Sequence, residues 1–422
     1  MATRRHDVLV VGGGPAGAAT AYWLAKAGHD VVAVERKTFP RDKTCGDGLT
    51  PRAVRQLADM GLEDQVAQGH HRFEGLRAVA HGITLELPWP EHPDYPGYGY
   101  VIRRHDLDQM VADHAVAAGA TLWQGTEAVA PLLDRGLLAG AVLRRTGAEA
   151  VEEVRARYVV VADGANSRFG RALGTSRNRS YPQGMAIRGY WKSPRSNDPW
   201  IESVLDVRDR HGNAMPGYGW IFPLGDGTIN VGIGLLSSFR DWKQVNTSHL
   251  MSEFATTAPA YWGISPETQL GPPTGGRLPM AGSVEPKAGP TFLVVGDAAG
   301  SVNPFNGEGI DYAYETGRLA ADVLSEALST GNGLALRRYP ETLEATFGLY
   351  FKVARGFAAL IGRPALMREL TRVGMQSRPL MEWVLRIMAN LLRPDELGPA
   401  EAAYKAMAAL ARLVPEASTS RS

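Results

Sequence analysis

The decapeptide Val8–Gly17, VLVVGGGPAG, limits what this chain can fold into more than any other stretch. Four apolar residues run straight into Gly12, Gly14 and Gly17, and a helix-compatible run, Ala18–Ala27, follows. That order describes a buried strand, a tight turn and a helix whose N-terminus faces the turn. Gly12 permits the turn, Gly14 lets a pyrophosphate approach the backbone, and Gly17 lets helix and strand pack closely. The helix dipole and its free amides hold the phosphate charge. A second strand, Asp30–Val34, leads into Glu35, 23 residues after Gly12, where an acid that binds a ribose hydroxyl belongs. Strand, helix, second strand and acid in register predict a dinucleotide site.

The totals narrow the class. A chain of 422 residues with 44% hydrophobic and 21% charged content suits a large soluble protein of two or three domains. Lys and Arg number 45 against 44 Asp and Glu, so no global charge speaks for nucleic acid. Cys45 is the only cysteine. It excludes an internal disulfide and a cysteine-ligated zinc or iron–sulfur centre within one chain, so no metal is expected and a reducing compartment is. The first apolar run is too short for a signal peptide, and no run of ~18 apolar residues spans a bilayer. Nothing in the pattern specifies an oligomeric state.

Past Glu35, Arg36–Lys43 and Thr44-Cys45-Gly46-Asp47-Gly48 form a turn-rich loop leading into a helix, Arg52–Met60, with Pro51 in its first turn. Cys45 either lies against the cofactor or fills a small buried space. Short alternating segments in 75–101, such as Ile83–Leu87, read as sheet and loop inserted into the nucleotide fold. Asp106 reads as the N-cap of a helix running to Ala118. Thr121–Val129 and Val142–Arg157 read as a meander, and Tyr158–Ala162 as a strand ending in Asp163-Gly164, placed for a cofactor or for an ordinary turn. Period-two strands follow at Gly184–Trp191, Ile201–Val207, Gly217–Phe222 and Thr228–Gly234. In the third, Tyr218, Trp220 and Phe222 alternate and share one face, suited to a flat ring or a greasy chain, or else to a core stripe. Residues 240–275 read as a helical excursion. Thr291–Val295 is a further buried strand, followed by Gly296-Asp297-Ala298-Ala299-Gly300, Asn303–Ile310 and a helix, Asp311–Leu328. This second strand, glycine loop and helix N-terminus is not a second GxGxxG, so one dinucleotide is gripped by both halves. The rest, from about 335, is helical. Between Phe351 and Arg393 eight basic residues face only Glu369 and Glu382, a local net of +6. With Leu380–Leu392 this suits a helix on an anionic membrane, or a helix packed on the fold with a solvated basic edge.

These pieces resemble the FAD-dependent geranylgeranyl reductases, within the p-hydroxybenzoate hydroxylase-like flavoproteins. GGGPAG with Glu35-Arg36, Asp163-Gly164, and Gly296–Ala299 with Gly307-Glu308-Gly309 are similar to that fold's FAD-binding segments. Arg41–Gly46 is similar to the reductases' cysteine loop beside the flavin, and Tyr218–Pro223 matches their YxWxFP motif, which faces the isoprenoid. The family often has a proline three residues before that tyrosine; here Met215 stands there and Pro216 follows. CGDGLTPRAV, Asp198–Trp200, PGYGWIFPLG and NPFNGEGIDY resemble members that act on menaquinone. The resemblance implies an α/β fold in which a Rossmann-like FAD-binding domain (1–75, 101–175, 276–330) interleaves with an antiparallel β-sheet substrate domain (76–100, 176–275), with a helical region at 331–422. It implies FAD contacts at Gly12, Gly14, Pro15, Ala16, Gly17, Glu35, Arg36, Cys45, Gly46, Arg104, Ala128, Asp297, Gly309 and Ile310. It implies an isoprenoid held by Tyr218, Trp220 and Phe222, with Cys45 ordering the substrate or relaying a proton. The reaction implied is saturation of a C=C bond in a polyprenyl chain, the menaquinone side chain foremost and geranylgeranyl diphosphates or lipids next. NAD(P)H and ferredoxin stand equally as electron donor. The expected location is cytoplasmic, peripheral at the inner membrane face through the C-terminal helices. Flavin monooxygenases and halogenases share the FAD motifs; halogenases carry WxWxIP, in which Tyr218 and Phe222 replace two positions.

Overall fold

Alternation along the first strand decides how the core is layered. In the computed structural model, which describes residues 5–239, 241–393, 395–396 and 398–413, the strand Arg5–Val11 lies parallel between Val31–Glu35 and Val151–Val161. Phe292–Val294 adds to the far side of Val151–Val161 and Thr121–Gln124 to the far side of Val31–Glu35, all parallel. Val8, Val10, Val31 and Ala33 point to one face and pack with helices Pro15–Lys26, Arg104–Ala117 and Ile310–Thr330. Leu9, Val11, Val32 and Val34 point to the other, against Leu138, Ala141 and Leu143 of a β-hairpin. A sheet covered on both faces needs such continuously apolar strands.

The segment expected as one strand over Val142–Arg157 is two, Leu137–Arg145 and Val151–Val161, folded back antiparallel. The break is a turn with Gly147 at φ +80°. Tyr158–Ala162 is therefore the end of the second strand, not a separate element. Likewise Thr121–Val129 is interrupted at Gly125, φ +62°, where Thr126–Asp134 departs to pair with the hairpin.

A second, seven-stranded sheet runs in the order Gln269–Pro279, Gln183–Lys192, Thr228–Leu236, Gly217–Pro223, Trp200–Val204, Gly75–Ala80, Ile83–Pro88. It is antiparallel except where Trp200–Val204 meets Gly75–Ala80. The helical excursion ends sooner than expected: Thr247–Thr257 is helix, but strand resumes at Gln269. Pro272 and Pro273 disguise it, and prolines are tolerated there because this strand lies at an edge, paired only with Gln183–Lys192. From Ile310 onward the described residues are mainly helical, and among them no helix is long and apolar enough to cross a membrane.

Candidate active site

At the glycine turn the spacing has a steric cause. Gly12 sits at φ +108°, and a Cβ there would lie 2.3 Å from the Ala162 carbonyl oxygen; at Gly17 it would lie 1.8 Å from that of Gly12. The helix that follows starts at Pro15 after Gly14, and no side chain caps it. Its first-turn amides are thus left for an anion. Glu35 is buried beside the turn, accepting the Gly13 amide at 3.1 Å and that of Lys37 at 3.0 Å.

The other glycine-bearing end abuts this one. Gly296, at φ +57°, faces Ala16 so closely that a Cβ would sit 2.7 Å from the alanine methyl. Gly309 caps the helix Ile310–Thr330 without a side-chain bond, and Asp297 Oδ1 lies 3.5 Å from where its Cβ would be. Burial pushes the Asp297 carboxyl up, against the opposing pull of Lys43 and Arg104; burial pushes Lys43 down. Two uncapped helix starts, a buried acid at the second strand and nearby cations form a cradle that fits a dinucleotide pyrophosphate and ribose. Arg36 is exposed, with its carbonyl accepting the Thr146 hydroxyl at 3.4 Å. Ala128 lies half-buried in the neighbouring strand, opposite Leu143.

The cysteine loop is anchored from the second sheet. Arg188 donates to the carbonyls of Lys43 and Cys45 at 3.3 and 3.2 Å. Asn230, fully buried, donates to the Cys45 carbonyl at 2.9 Å and to Asp47 Oδ2 at 2.7 Å, and accepts from Trp220 Nε1 at 2.9 Å. Tyr190 adds its hydroxyl to Asp47 Oδ2 at 2.6 Å. The other Asp47 oxygen accepts the Arg104 amide at 3.2 Å, which explains a correction to the expected helix start. The helix begins at Arg104 because Asp47 caps it from afar, and Asp106 lies in its first turn. The Arg104 guanidinium is bidentate on Asp108 at 2.6 and 2.8 Å. Burial pushes the Cys45 thiol up, opposed by Arg104.

Tyr218, Trp220 and Phe222 form a continuous wall, with successive ring centroids 6.1 and 6.3 Å apart. Glycine makes room for it: a Cβ on Gly232 would fall 2.1 Å from the Trp220 ring. One end of the wall meets the cysteine loop, where a Cβ on Gly46 would lie 3.3 Å from both Trp220 and Phe222. The other end meets the second glycine loop, Tyr218 donating its hydroxyl to the Asn306 carbonyl at 2.5 Å. The structure thus brings the glycine turn, Cys45, Gly46, Arg104, Asp297, Gly309 and the three aromatics around one region. Arg36 and Ala128 stand at its outer edge. Asp163 is engaged locally, its carboxylate accepting Ser167 Oγ at 2.5 Å and the Phe169 amide at 2.9 Å. Asp47, Tyr190, Arg188 and Asn230 were not anticipated. Asn230 leaves a signal, a lone amide inside the otherwise apolar run Ile229–Gly234.

A single dinucleotide cradle opening on an aromatic wall beside a lone cysteine defines an FAD-binding oxidoreductase. The model of the FAD binding domain family matches residues 5–212. A menaquinone reductase of Mycolicibacterium smegmatis is 41% identical over 392 residues, 93% of this chain and 93% of that protein. Digeranylgeranylglycerophospholipid reductase 2 of Methanopyrus kandleri is 33% identical over 361 residues, 82% of this chain and 84% of the other. A solved geranylgeranyl bacteriochlorophyll reductase-like structure from Thermoplasma acidophilum shares the fold, with a TM-score of 0.77 at 22% identity over 96% of this chain and 99% of that one. This chain belongs to the family of FAD-dependent reductases that includes the menaquinone and geranylgeranyl-lipid reductases.

Proposed function

We propose that this protein saturates one carbon–carbon double bond in a polyprenyl tail, the isoprenoid side chain of menaquinone being its substrate. The aromatic wall carries the reading. It spans from the cysteine loop to the second glycine loop, so a greasy chain lying on it passes the region where a flavin ring belongs. The full-length relatedness to a menaquinone reductase supports the choice of quinone. FAD, when bound and reduced, supplies the hydride. An isolated alkene has no carbonyl to accept negative charge, so the proton reaches the less substituted carbon first and positive charge builds at the tertiary carbon before the hydride arrives. The faces of Tyr218 and Trp220 stabilise that charge and exclude water. Cys45, kept as a neutral thiol by burial, orders the reacting segment of the tail. Gly12, Gly14, Pro15, Ala16, Gly17 and Glu35 hold the adenosine-diphosphate half of the cofactor, with Arg36 and Ala128 at its edge. Gly46, Arg104, Asp297, Gly309 and Ile310 hold the flavin half.

Peripheral membrane contact belongs to the same proposal. Leu360, Leu370 and Val373 are exposed on adjoining helices Leu349–Ile361 and Pro364–Gly374, beside exposed Arg363, Arg368 and Arg372. Apolar and basic residues side by side suit an anionic bilayer, where the substrate resides. Mass spectrometry of menaquinones in a deletion strain tests the proposal. Tails with one additional double bond are expected, and an unchanged profile refutes it.

A further inference from the structure

Behind the second glycine loop lies a buried charge cluster that nothing so far uses. Glu308, Asp311 and Glu315 follow one another at helical spacing into Ile310–Thr330, facing a single guanidinium, Arg52 of helix Pro51–Met60. Arg52 Nη2 donates to both Glu315 oxygens at 2.6 Å, and its Nε lies 3.6 Å from Asp311 Oδ2. Asp311 is fully buried, and neither of its oxygens has a hydrogen-bond partner. Three carboxyls around one cation, largely out of water, cannot all ionise, so the cluster holds protons.

Glu308 is the member tied to the loops that border the aromatic wall. One of its oxygens accepts the Thr50 hydroxyl and the other the Asn306 amide at 3.2 Å. Thr50 belongs to the cysteine loop, two residues past the Gly48 that lies against Phe222; Asn306 carries the carbonyl that receives the Tyr218 hydroxyl. The carboxyl therefore bridges both loops that border the wall. We propose that Glu308 is the acid of the site, its O–H supplying the proton that the less substituted carbon of the double bond takes up ahead of the hydride, with Asp311 and Glu315 returning a proton from the solvent side.

This rests on the prenyl-reductase reading. In the step the π bond breaks and two C–H bonds form: one takes the hydride that the reduced flavin gives up on oxidation, the other the Glu308 proton. The resulting carboxylate regains its proton from water through Asp311 and Glu315, whose side chain is 11% exposed. Asp47, also beside the wall, has both oxygens occupied by Tyr190, Asn230 and the Arg104 amide, and the thiol and phenol there are weaker acids. Burial pushes both the Cys45 thiol and the Tyr218 hydroxyl up, and the Tyr218 proton is already donated to Asn306. Burial holds Glu308 up to about 7, while Thr50, Asn306 and Arg52 pull it down and Glu315 pushes it up. Tyr95, Tyr218, Tyr312 and Tyr350, the tyrosines around the cluster, stay neutral near that pH because burial pushes each one up, and Arg318 pulls Glu315 down from its outer side. An acid poised near working pH is the efficient donor.

The test uses FAD-loaded protein in anaerobic single turnover, following flavin reoxidation by a menaquinone with an unsaturated tail. The wild-type rate is expected to fall as pH rises through about 7. Glu308→Gln is expected to lose roughly 10²-fold or more and to lose that limb while binding FAD normally, with partial rescue in Glu308→Asp. Glu315→Gln should move the limb to lower pH, because it removes a charge that keeps Glu308 protonated. Infrared difference spectra of substrate-free protein between about pH 6 and pH 8 provide a readout without turnover: a protonated-carboxyl band is lost in wild type and missing from Glu308→Gln. A Glu308→Gln enzyme that retains both rate and limb, or the infrared band, overturns the assignment. Failure of the wild type to reduce any prenyl acceptor instead overturns the functional reading beneath it.

Discussion

Replacing Asn230 by alanine isolates the contact on which the cysteine loop depends. The amide serves three partners at once: Trp220 Nε1, the Cys45 carbonyl and Asp47 Oδ2, at 2.7–2.9 Å. Asp47 keeps Tyr190 and the Arg104 amide, so its loss is partial. The indole N–H is left without a partner, while the Cys45 carbonyl keeps Arg188 at 3.2 Å. A buried polar group left unpaired costs about 1–3 kcal/mol and each partly replaced hydrogen bond about 0.5–1.5 kcal/mol, which makes about 3 kcal/mol a fair total for local opening of this loop. Because Cys45 is the only thiol, its alkylation reports that opening without ambiguity. An opening easier by about 3 kcal/mol corresponds to roughly 10²-fold faster labelling. The assay compares alkylation of FAD-loaded wild type and Asn230→Ala at one pH, with the exposed Asn213→Ala as control. A change below about threefold would show that the loop is not held from the second sheet, and the reasoning would fail.

Gly296→Ala places a methyl 2.7 Å from that of Ala16 at a left-handed φ, wedging apart the two ends of the cradle; FAD affinity should drop by at least about tenfold, read by flavin fluorescence titration. Cys45→Ala or Cys45→Ser should alter how far reduction proceeds while FAD content stays normal, read by mass spectrometry of the products. Glu308, held up to about 7 in the folded protein against 4.5 ordinarily, binds a proton that the unfolded chain releases. Its contribution is therefore complete below about pH 4.5 and lost as pH rises through about 7, a decline of about 3 kcal/mol that Glu308→Gln should lack in unfolding titrations.

The parts of the site legible in the sequence are those whose partners are close along the chain. Gly17 answers to the Gly12 backbone close along the chain, and Tyr218, Trp220 and Phe222 share a face because strand periodicity is local. The rest depends on long-range meetings. Asn230 touches a loop 185 residues earlier, and Thr50 meets Glu308 across 258 residues. No pattern in either segment announces its partner. The missed edge strand at Gln269 had a different cause, since its Pro-Pro and Gly-Gly pairs satisfy the signature of a loop while an edge position excuses them. Asp106 misled because an acid in a helix's first turn looks like a cap when the true cap, Asp47, comes from another loop.

The most direct measurement incubates the purified, FAD-loaded protein, reduced under anaerobic conditions, with menaquinone bearing a fully unsaturated tail, and weighs the product. A gain of one H2, located by fragmentation in the prenyl tail and absent when Tyr218 and Trp220 are both replaced by alanine, is what this account predicts. An unchanged tail, or a product carrying oxygen or halogen after oxygen is admitted, would contradict it.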